Sequence, residues 1–524
     1  MNSISTDSIA FYSKLISDYQ NGRLKELNWV DFKYELPSIV EKAKKRTFSH
    51  RTALTKALSE QYQDLGLLAE VEKRIDQLSL ANTFTVCTGH QLSLFGGPAF
   101  FFSKILECIK LADTLSIFDP DRNYVPVFWL ASEDHDFAEI ATVQLFNNTL
   151  TWEQESAGPV GRLKTENLTP LVEQFCEILG TGEKAKEIAA VIKKAYQSNY
   201  NLAQATRILV HQLLGKKGLL IIDGDDPTLK KLFTPVAKQE LTLQVVEKSL
   251  SSRIADFESE GYKIQASPRP INLFYLTEQY RGRIIRTEGE YSTADGTMVW
   301  SSEEILRLIE EEPEMISPNV FLRPVYQELI LPNVAYIGGA GEIAYWLELP
   351  PLFETLNLSY PIPVVRNSFV YWDKKSIEKL NKLGLSITQL FEELPLLEAQ
   401  FVEDNAKNVI ELKEQKKQIK QVFDEIKAIG SKIDPNIHKS VAGELSKTNS
   451  SIENLEKRFR NAEKRNLEQQ IKQISALKSK VFPNGIFQER HASFFEFYLK
   501  SDKDLFQILL ERINSFESHL KVVL

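Results

Sequence analysis

Three short polar clusters in this sequence could carry chemistry, because each follows an apolar, strand-like run. The first is TGHQLSLFGGP, in which Gly89, His90 and Gln91 precede Gly96 and Gly97. Glycine lets backbone N–H groups approach a ligand, and a helix beginning just beyond favours an anion. The pattern is neither GxGxxG nor a P-loop, so it does not identify a nucleotide site. For this cluster alone, a structural turn with a hydrogen-bonded histidine is the more frequent alternative.

The second cluster is FWLASEDHDFAEI, where Glu133, Asp134, His135 and Asp136 come directly after an apolar run. In open α/β sheets, ligands bind outside the carboxyl ends of the strands, where these four side chains are expected. We favour a general base, or a ligand for a substrate ammonium group. A metal site is less favoured, because consecutive residues on an extended chain diverge and no other histidine cluster completes a set. An acidic turn that caps the next helix is the remaining alternative.

The third cluster lies in SPNVFLRPVYQELILPNVAYIGGAGEIAYW. Arg323 falls in a run predicted to be a strand, and a buried guanidinium there suits a carboxylate or a phosphate. GGAGE is a second glycine turn after a strand-like run, with a helical segment beyond it. The candidate residues of this turn are Gly339, Gly341, Glu342, Tyr345 and Trp346. A structural Arg–Glu pair beside a tight turn is an almost equally good interpretation.

The elements that must position these clusters are apolar strands alternating with helices. The helical stretches include Phe101–Thr114 and Leu202–Leu214. The strand-like runs lie at 84–87, 125–131, 218–226, 321–331, 333–339 and 361–372. This alternation predicts an α/β fold with a mostly parallel, doubly wound sheet covered on both faces. Helices are expected before residue 80, and insertions into the sheet domain near 147–200 and 255–315, the second with a hairpin-like RGRIIRTEGEYST.

After Trp372 the composition becomes rich in Lys, Glu, Gln, Leu and Ile. Two heptad frames separated by a breaker containing Pro435 predict an antiparallel coiled-coil arm over residues 373–480. The apolar positions of these frames include Val409, Leu412, Ile419, Phe423, Ile426, Ile433, Ile452, Leu455 and Phe459. Such an arm has little core of its own, so we expect it to pack on a partner subunit. Residues 481–524 are expected to dock back on the sheet domain.

Composition narrows the class of protein. A chain of 524 residues with 43% hydrophobic residues is expected to fold as two or three domains. Its net charge of −8 argues against nucleic acid or an anionic membrane as the main partner. Three cysteines without CxxC spacing, no signal-peptide pattern and no apolar run of about 20 residues indicate a cytoplasmic protein.

Four blocks, TGHQLSLFGGPAFFFSKI, PVFWLASEDHDFAEI, NVFLRPVYQELILPNVAYIGGAGEIAYW and FPNGIFQERHASFFEFYL, resemble the bacillithiol biosynthesis cysteine-adding enzymes, also described as cysteine ligases. Their order and spacing extend the resemblance over nearly the whole chain. It implies a Rossmann-like core with connecting-peptide insertions, and a coiled coil that pairs two subunits in a homodimer. It also implies a ligase that joins the carboxyl group of cysteine to the amine of glucosaminyl-malate.

The resemblance further implies kinship with class I aminoacyl-tRNA synthetases, which hold ATP with HxGH and KMSKS-type signatures. This chain has only Gly89-His90 at such a turn and no KMSKS-like loop. ATP or another activating nucleotide is therefore expected without a motif that identifies it, and no metal is expected. A non-catalytic nucleotide-binding scaffold that recruits a partner through its coiled coil is the alternative, and a metal-dependent hydrolase built on EDHD is a weaker one.

Roles follow from the chemistry that the resemblance implies. A group within Glu133–Asp136 could accept the ammonium proton, and His90 with the Gly96–Gly97 amides could stabilise an oxyanion or a phosphate. Arg323 could hold the malyl carboxylates, and Asn319 and Gln327 the sugar hydroxyls. The predicted catalytic residues are His90, Asp134 and His135. The predicted substrate-binding residues are Gln91, Glu133, Asp136, Asn319, Arg323, Gln327, Glu342, Tyr345 and Trp346. The glycines predicted to approach the cofactor are Gly89, Gly96, Gly97, Gly339 and Gly341.

Overall fold

The computed structural model describes residues 3–63, 65–66, 68–154, 156, 158–406, 411–434 and 436–523. The chain divides into two compact units. The first comprises Met1–Tyr371 and Gln488–Leu524, and the second comprises Trp372–Phe487. Two residues of the coiled-coil prediction, Val409 and Pro435, lie outside the described residues.

The strands all belong to the first unit in the part of the chain that the structure describes. They are β1 Ser3–Ser5, β2 Thr83–His90, β3 Asn123–Leu130, β4 Thr142–Leu145, β5 Asn148–Thr151, β6 Leu220–Asp223, β7 Leu273–Leu276, β8 Arg281–Thr287, β9 Glu290–Thr293, β10 Val299–Trp300, β11 Ile316–Pro318, β12 Asn333–Gly338, β13 Ile362–Val365, β14 Phe369–Tyr371 and β15 His519–Val523.

The helices of the first unit precede, connect and follow these strands. They are α1 Lys14–Gln20, α2 Arg23–Glu26, α3 Leu36–Lys45, α4 Arg51–Gln61, α5 Ala69–Leu78, α6 Phe100–Phe118, α7 Phe137–Ile140, α8 Thr169–Leu179, α9 Glu183–Ala195, α10 Leu202–Leu214, α11 Pro227–Leu243, α12 Val245–Ser259, α13 Ser302–Glu311, α14 Leu322–Ile330, α15 Ala340–Trp346 and α16 Pro350–Thr355. After the second unit come α22 Gln488–His491, α23 Phe494–Lys500 and α24 Leu505–Arg512. The second unit contains α17 Lys374–Lys382, α18 Leu394–Asn405, α19 Lys413–Gly430, α20 Ile437–Asn466 and α21 Glu468–Val481.

The core sheet of the first unit has the order β13-β12-β2-β3-β6, and all its pairs are parallel. Its strands are nearly continuous apolar runs, because helices cover both faces of a parallel sheet. The chain goes from β2 outward through β3 to β6 and then crosses back to β12 and β13. β2 and β12 are therefore the neighbours at which the strand order reverses, where α/β proteins bind their ligands. The predicted doubly wound parallel sheet is confirmed.

One predicted strand is wrong. Residues 321–331 contain helix α14 instead, so Arg323 lies on a helix. Leu322, Val325, Tyr326 and Ile330 are buried along one side at helical spacing, a period that a short apolar run does not separate clearly from that of a strand. The Asn319 side chain starts the helix, because its Oδ1 accepts the N–H groups of Phe321 and Leu322 at 3.0 and 3.2 Å.

The residues predicted as a second insertion form a separate antiparallel sheet with the order β10-β9-β8-β7-β11. Its β8–β9 hairpin pairs Ile284 with Thr293, as the sequence predicted for this segment. A small third sheet has the order β1-β15-β14, with β15 antiparallel to β1 and parallel to β14. The predicted strand at 361–372 is thus two strands, β13 in the core sheet and β14 in this terminal sheet.

The second unit is helical in its described residues. Glu456 on α20 accepts the Leu412 N–H at 2.8 Å and the Lys416 ammonium group at 2.7 Å, while Gly430 lies against Ile437 at the turn. These pairs run in opposite directions along the two helices, so α19 and α20 form the predicted antiparallel hairpin. Several apolar side chains of this hairpin are exposed, namely Val422, Ile426, Ile429, Ile433, Leu455 and Phe459. Among the described helices of the whole chain, none has the length and apolar content to span a membrane.

Candidate active site

A cavity of about 480 Å³ opens at the carboxyl ends of β2, β3 and β12. This volume is typical of small-molecule sites. The predicted residues that line it are Gly89, His90, Gln91, Glu133, Asp134, Asn319, Arg323, Glu342 and Tyr345. Parts of the inserted antiparallel sheet and of the segment before it form the opposite wall. The three polar clusters, separated by up to about half the chain, therefore meet at the strand-order reversal.

His90 lies at the end of β2, between the rings of Phe100 and Phe101 at centroid distances of 5.0 and 5.1 Å. Its Nδ1 is 2.8 Å from the Gln91 carbonyl oxygen. A carbonyl only accepts hydrogen bonds, so Nδ1 carries the proton and Nε2 is the acceptor. Burial, followed by the positive charge of Lys104, lowers the pKa of His90 to about 4. The imidazole is therefore neutral at pH 7.

Asp134 is an anion held by donors from its own loop and from β2. Its Oδ2 accepts the Gln91 amide at 2.9 Å, and its Oδ1 accepts the N–H groups of His135 and Asp136 at 2.7 and 3.3 Å. Burial alone would raise the pKa of Asp134, but these hydrogen bonds and the charge of Arg281 hold it well below its usual range. Asp134 is consequently a weak base and a good acceptor for a cationic group.

His135 and Asp136 do not line the cavity. Arg281 Nη1 lies 2.8 Å from His135 Nδ1 and donates to it, because a guanidinium has no acceptor. Asp136 accepts the Glu139 N–H at 3.3 Å and so caps α7. Asp136 thus caps a helix, as the capping alternative expects, and its substrate-binding role stays a prediction for a residue outside the cavity lining.

Two carboxylates of the cavity are paired with buried lysines of the same chain. Glu133 contacts the Lys230 ammonium group, which also donates to the Ile316 carbonyl at 2.9 Å. Glu342 contacts the Lys104 ammonium group. Although burial opposes the charge, Lys104 lowers the pKa of Glu342 to about 2. Both carboxylates line the cavity with their charges already compensated.

Glu342 also closes the glycine turn after β12. It accepts the Gly339 N–H at 3.0 Å and the Tyr336 hydroxyl at 2.9 Å. A carboxylate of the chain thus caps the first turn of α15. The Gly96 and Gly97 N–H groups are likewise used internally, by Ser93 and Leu94 carbonyls at 3.0 and 2.9 Å. Both amides therefore already have partners within their own turn, and their role toward an oxyanion or phosphate stays a prediction.

Arg323 reaches the cavity from α14. It donates to Gln327 Oε1 at 3.2 Å and to the Tyr345 hydroxyl at 3.3 Å, and it lies 3.5 Å from the Tyr336 hydroxyl. These partners are all neutral, so the structural Arg–Glu pair does not form. A cation whose neighbours are neutral acceptors is suited to an anionic ligand.

Three predicted substrate ligands are occupied within the protein. Gln327 is buried, away from the cavity lining, between Arg323 and Glu328. Trp346 is also buried and stacks on Tyr336 with centroids 4.2 Å apart. Asn319 lines the cavity, but its amide donates to Asn272 at 2.8 Å while its oxygen starts α14. Gln327 and Trp346 do not line the cavity, and their contacts with substrate stay predictions.

The inserted sheet forms a wall of the site that was not predicted from the sequence. Arg281 and Arg283 on β8 line the cavity together with Arg269 and Phe274. Alternate residues of a strand share a face, so the RGR spacing was a usable signal. Among the described residues, no carboxylate lies within 4.0 Å of the guanidinium groups of Arg269, Arg281, Arg283 or Arg323. The described residues also contain no group of three or more His, Cys, Asp or Glu side chains arranged to hold a metal ion.

Two family models match this chain. The model for bacillithiol biosynthesis BshC, N-terminal Rossmann-like domain, matches residues 1–367, and that for bacillithiol biosynthesis BshC, C-terminal coiled-coil domain, matches residues 369–524. Curated relatives named "Putative cysteine ligase BshC" are similar over their full length. The protein of Flavobacterium johnsoniae is 38% identical over 99% of both chains. That of Christiangramia forsetii is 37% identical over 100% of this chain and 98% of its own.

Proposed function

Because this chain belongs to the bacillithiol biosynthesis BshC family, we propose that it is a ligase that adds cysteine to glucosaminyl-malate through an amide bond. The observation that carries this substrate assignment is the charge of the cavity. Arg269, Arg281, Arg283 and Arg323 face it, and within the described part of the chain no carboxylate lies within 4.0 Å of their guanidinium groups, whereas Glu133 and Glu342 are neutralised by lysines. The acceptor carries two malyl carboxylates and one amine, which matches a cationic wall with one anionic acceptor, Asp134.

The amine is bound and deprotonated by different groups in this proposal. Asp134, an anion at neutral pH, accepts a hydrogen bond from the ammonium group of the acceptor and orients that group. The ammonium group first releases one proton to water, because only the neutral amine has the lone pair that attacks. As the nitrogen attacks the cysteinyl carbonyl carbon, the N–C bond forms, the bond to the leaving group breaks and the nitrogen becomes strongly acidic. His90 Nε2, the acceptor of a neutral ring, takes that proton. Neutral His90 and anionic Asp134 are both present at pH 7, because both groups have lowered pKa values.

Activation of the cysteine carboxylate is part of the proposal, since a carboxylate is a poor acyl donor. ATP or another nucleotide would supply the leaving group. Gly341 on α15 has room beside it, because an added Cβ would meet no atom within 4 Å. However, Glu342 already places a carboxylate on the N-terminus of this helix, which disfavours a phosphate there. The residues of the GGAGE turn therefore do not fit a phosphate.

We further propose that the chain acts as a cytoplasmic homodimer joined through the second unit. Ile426 and Ile429 on α19, Ile433 in the turn after it, and Leu455 and Phe459 on α20 are exposed apolar side chains. A second copy of the same hairpin would cover them. Three buried, unpaired cysteines suit a reducing compartment.

The reaction is tested by comparing metabolites of cells with and without the gene. Accumulated glucosaminyl-malate and absent bacillithiol in the deletion strain, both reversed by the wild-type chain, are the expected results. Unchanged thiols would refute the proposal. Complementation with an R281M/R283M chain separates enzyme from scaffold, because full restoration of bacillithiol by that chain would favour a non-catalytic role.

A further inference from the structure

Lys104 is a buried lysine that joins the two strand ends at the strand-order reversal. It is the fifth residue of α6, and its side chain is 3% exposed. Its ammonium group donates to the Gly89 carbonyl oxygen of β2 at 2.6 Å and contacts Glu342 of α15, which follows β12. Burial of a lysine is unfavourable unless it is paired, so the contacts fix both loops relative to α6.

The contacts continue from Lys104 to the anion-binding side of the cavity. Glu342 Oε1 accepts the Tyr336 hydroxyl at 2.9 Å, and that hydroxyl lies 3.5 Å from Arg323 Nη2. The chain from the Gly89 carbonyl to the Arg323 guanidinium thus passes through three side chains. A shift of Lys104 would move the end of β2 that carries His90 and would also loosen the support of Arg323.

The same ammonium group dominates the charges around His90. The charged groups that act on the ring are Lys104 of α6, Glu342 of α15 and Arg366, which follows β13. Phe100 and Phe101 enclose the ring, and the Gln91 carbonyl fixes Nδ1. Arg366 is itself paired with Glu489, and the Arg490 guanidinium lies over Phe100. The charged groups near the poorly solvated imidazole thus comprise three cations and two carboxylates, a balance that disfavours a further positive charge.

We propose that Lys104 is a positioning residue of this site, which couples the carboxyl end of β2 to the helix after β12. Its buried positive charge, held beside the residue that precedes His90, also disfavours a positive charge on that ring. Its importance for catalysis rests on the proposed function, whereas its effect on His90 does not. A purely structural cross-link would leave the titration of His90 unchanged in a folded variant. An electrostatic role predicts a change of defined sign.

The test is the titration of His90 in the full-length chain labelled at histidine with ¹³C and ¹⁵N, followed by NMR and assigned with H90N. In the wild-type chain and in the K110M control, on the same helix, His90 is expected to stay neutral down to about pH 5. In K104M its midpoint is expected to move upward, toward the ordinary value near 6.5. A folded K104M chain with wild-type titration would overturn the proposal, as would an equal shift in K110M.

The double variant K104M/E342Q leaves no lone buried charge, so it keeps the test available if K104M does not fold. Its His90 midpoint is also expected to move upward, since Lys104 acts on the ring more strongly than Glu342. E342Q alone removes the negative charge and should keep His90 neutral. An unchanged midpoint in the double variant, or an upward shift in E342Q, would overturn the proposal.

Bacillithiol formation in complemented deletion cells gives the second readout. K104M is expected to lower bacillithiol formation about 10- to 100-fold. K104R should recover part of the wild-type level, and K110M should keep all of it. If the wild-type chain itself gives no bacillithiol, the proposed function fails while the NMR titration still decides the role of Lys104. Wild-type bacillithiol levels from a folded K104M chain would contradict the positioning role.

Discussion

Arg366 and Glu489 form a buried ion pair between residues 123 positions apart in the sequence, with 2.7 Å between Nη2 and Oε1. The second carboxylate oxygen of Glu489 accepts the Phe369 N–H at 2.8 Å. The Arg366 N–H in turn bonds to the Gly338 carbonyl at the end of β12, also at 2.8 Å. The ion pair therefore attaches the C-terminal segment directly beside the strand-order reversal.

Removing the Glu489 charge should destabilise the first unit. E489Q leaves the Arg366 guanidinium buried without its counter-charge, which typically costs about 3–5 kcal/mol. Urea unfolding followed by circular dichroism measures this change. E260Q, which removes the exposed partner of Arg23, is the matched control and should hardly move the midpoint. Equal midpoints for E489Q and E260Q would contradict the prediction.

Arg281 and Arg283, on the face of β8 that lines the cavity, are expected to bind the acceptor. Arg286, on the other face of this strand, is not. R283M is expected to lower bacillithiol formation in complemented cells about 10- to 100-fold, because a charge-assisted contact to a carboxylate is lost. Arg286 lies on the same strand with its guanidinium over Tyr291, so R286M is the control. Similar losses in the two variants would argue against a substrate contact by Arg283.

Asp134 should select the ammonium group of the acceptor. D134N is expected to weaken binding of glucosaminyl-malate about tenfold in calorimetry but to leave binding of malate unchanged. Since the pKa of Asp134 is well below its usual range, wild-type affinity should stay constant as the pH falls from about 7 to about 5.5. A parallel weakening of malate binding would place Asp134 outside the amine contact.

Glu348 should make the protein less stable as the pH rises. It is fully buried, and burial raises its pKa to about 7, with the Gln265 N–H as the opposing influence. The native chain then holds a proton that the unfolded chain releases above its lower pKa, so stability falls between about pH 4.5 and 7. At pH 8 the free energy of unfolding of E348Q should exceed that of the wild type by up to about 3 kcal/mol. Near pH 4 the two free energies should be equal.

Urea unfolding at the two pH values checks the Glu348 prediction. E303Q, at an exposed position, is the control. A constant difference between E348Q and wild type at both pH values would exclude titration of Glu348 as its cause.

The apolar face of the α19–α20 hairpin should hold two copies together. Ile429 is 62% exposed in the single chain, and I429D places a charge where a partner copy would pack. Light scattering is expected to give about twice 59.9 kDa for the wild-type chain and the monomer mass for I429D. I429L keeps an apolar side chain and should remain dimeric. A monomeric wild-type chain would refute the assembly.

Features that depend on residues adjacent in the sequence, such as the core strands and the turns after them, could be predicted. β2, β3 and β12 are almost entirely buried strands, and each ends in a polar or glycine-rich turn, so their order along the chain predicted one crevice. Residues 321–331 were misassigned, since polar Arg323, Gln327 and Glu328 interrupt a run whose period is ambiguous at that length. Lys104 carried a signal that went unused, because a lysine within the apolar FFFSKILECI helix needs a partner.

The remaining features depended on distant pairing. Whether Glu133 and Glu342 could bind a ligand depended on Lys230 and Lys104, which lie 97 and 238 residues from them in sequence. To predict the role of Arg281 and Arg283, one would have to know that the inserted sheet faces the ends of the core strands. Local pattern cannot supply such contacts, since they are decided by packing.

The terminal sheet also sets an order of events during synthesis. β15 pairs with both β1 and β14, so the first unit cannot complete this sheet until residues 519–523 have been made. The helices of the second unit precede β15 in the chain and are all available earlier. A nascent chain can therefore form its helical hairpin, and meet another hairpin, while the sheet that joins its two ends is still open.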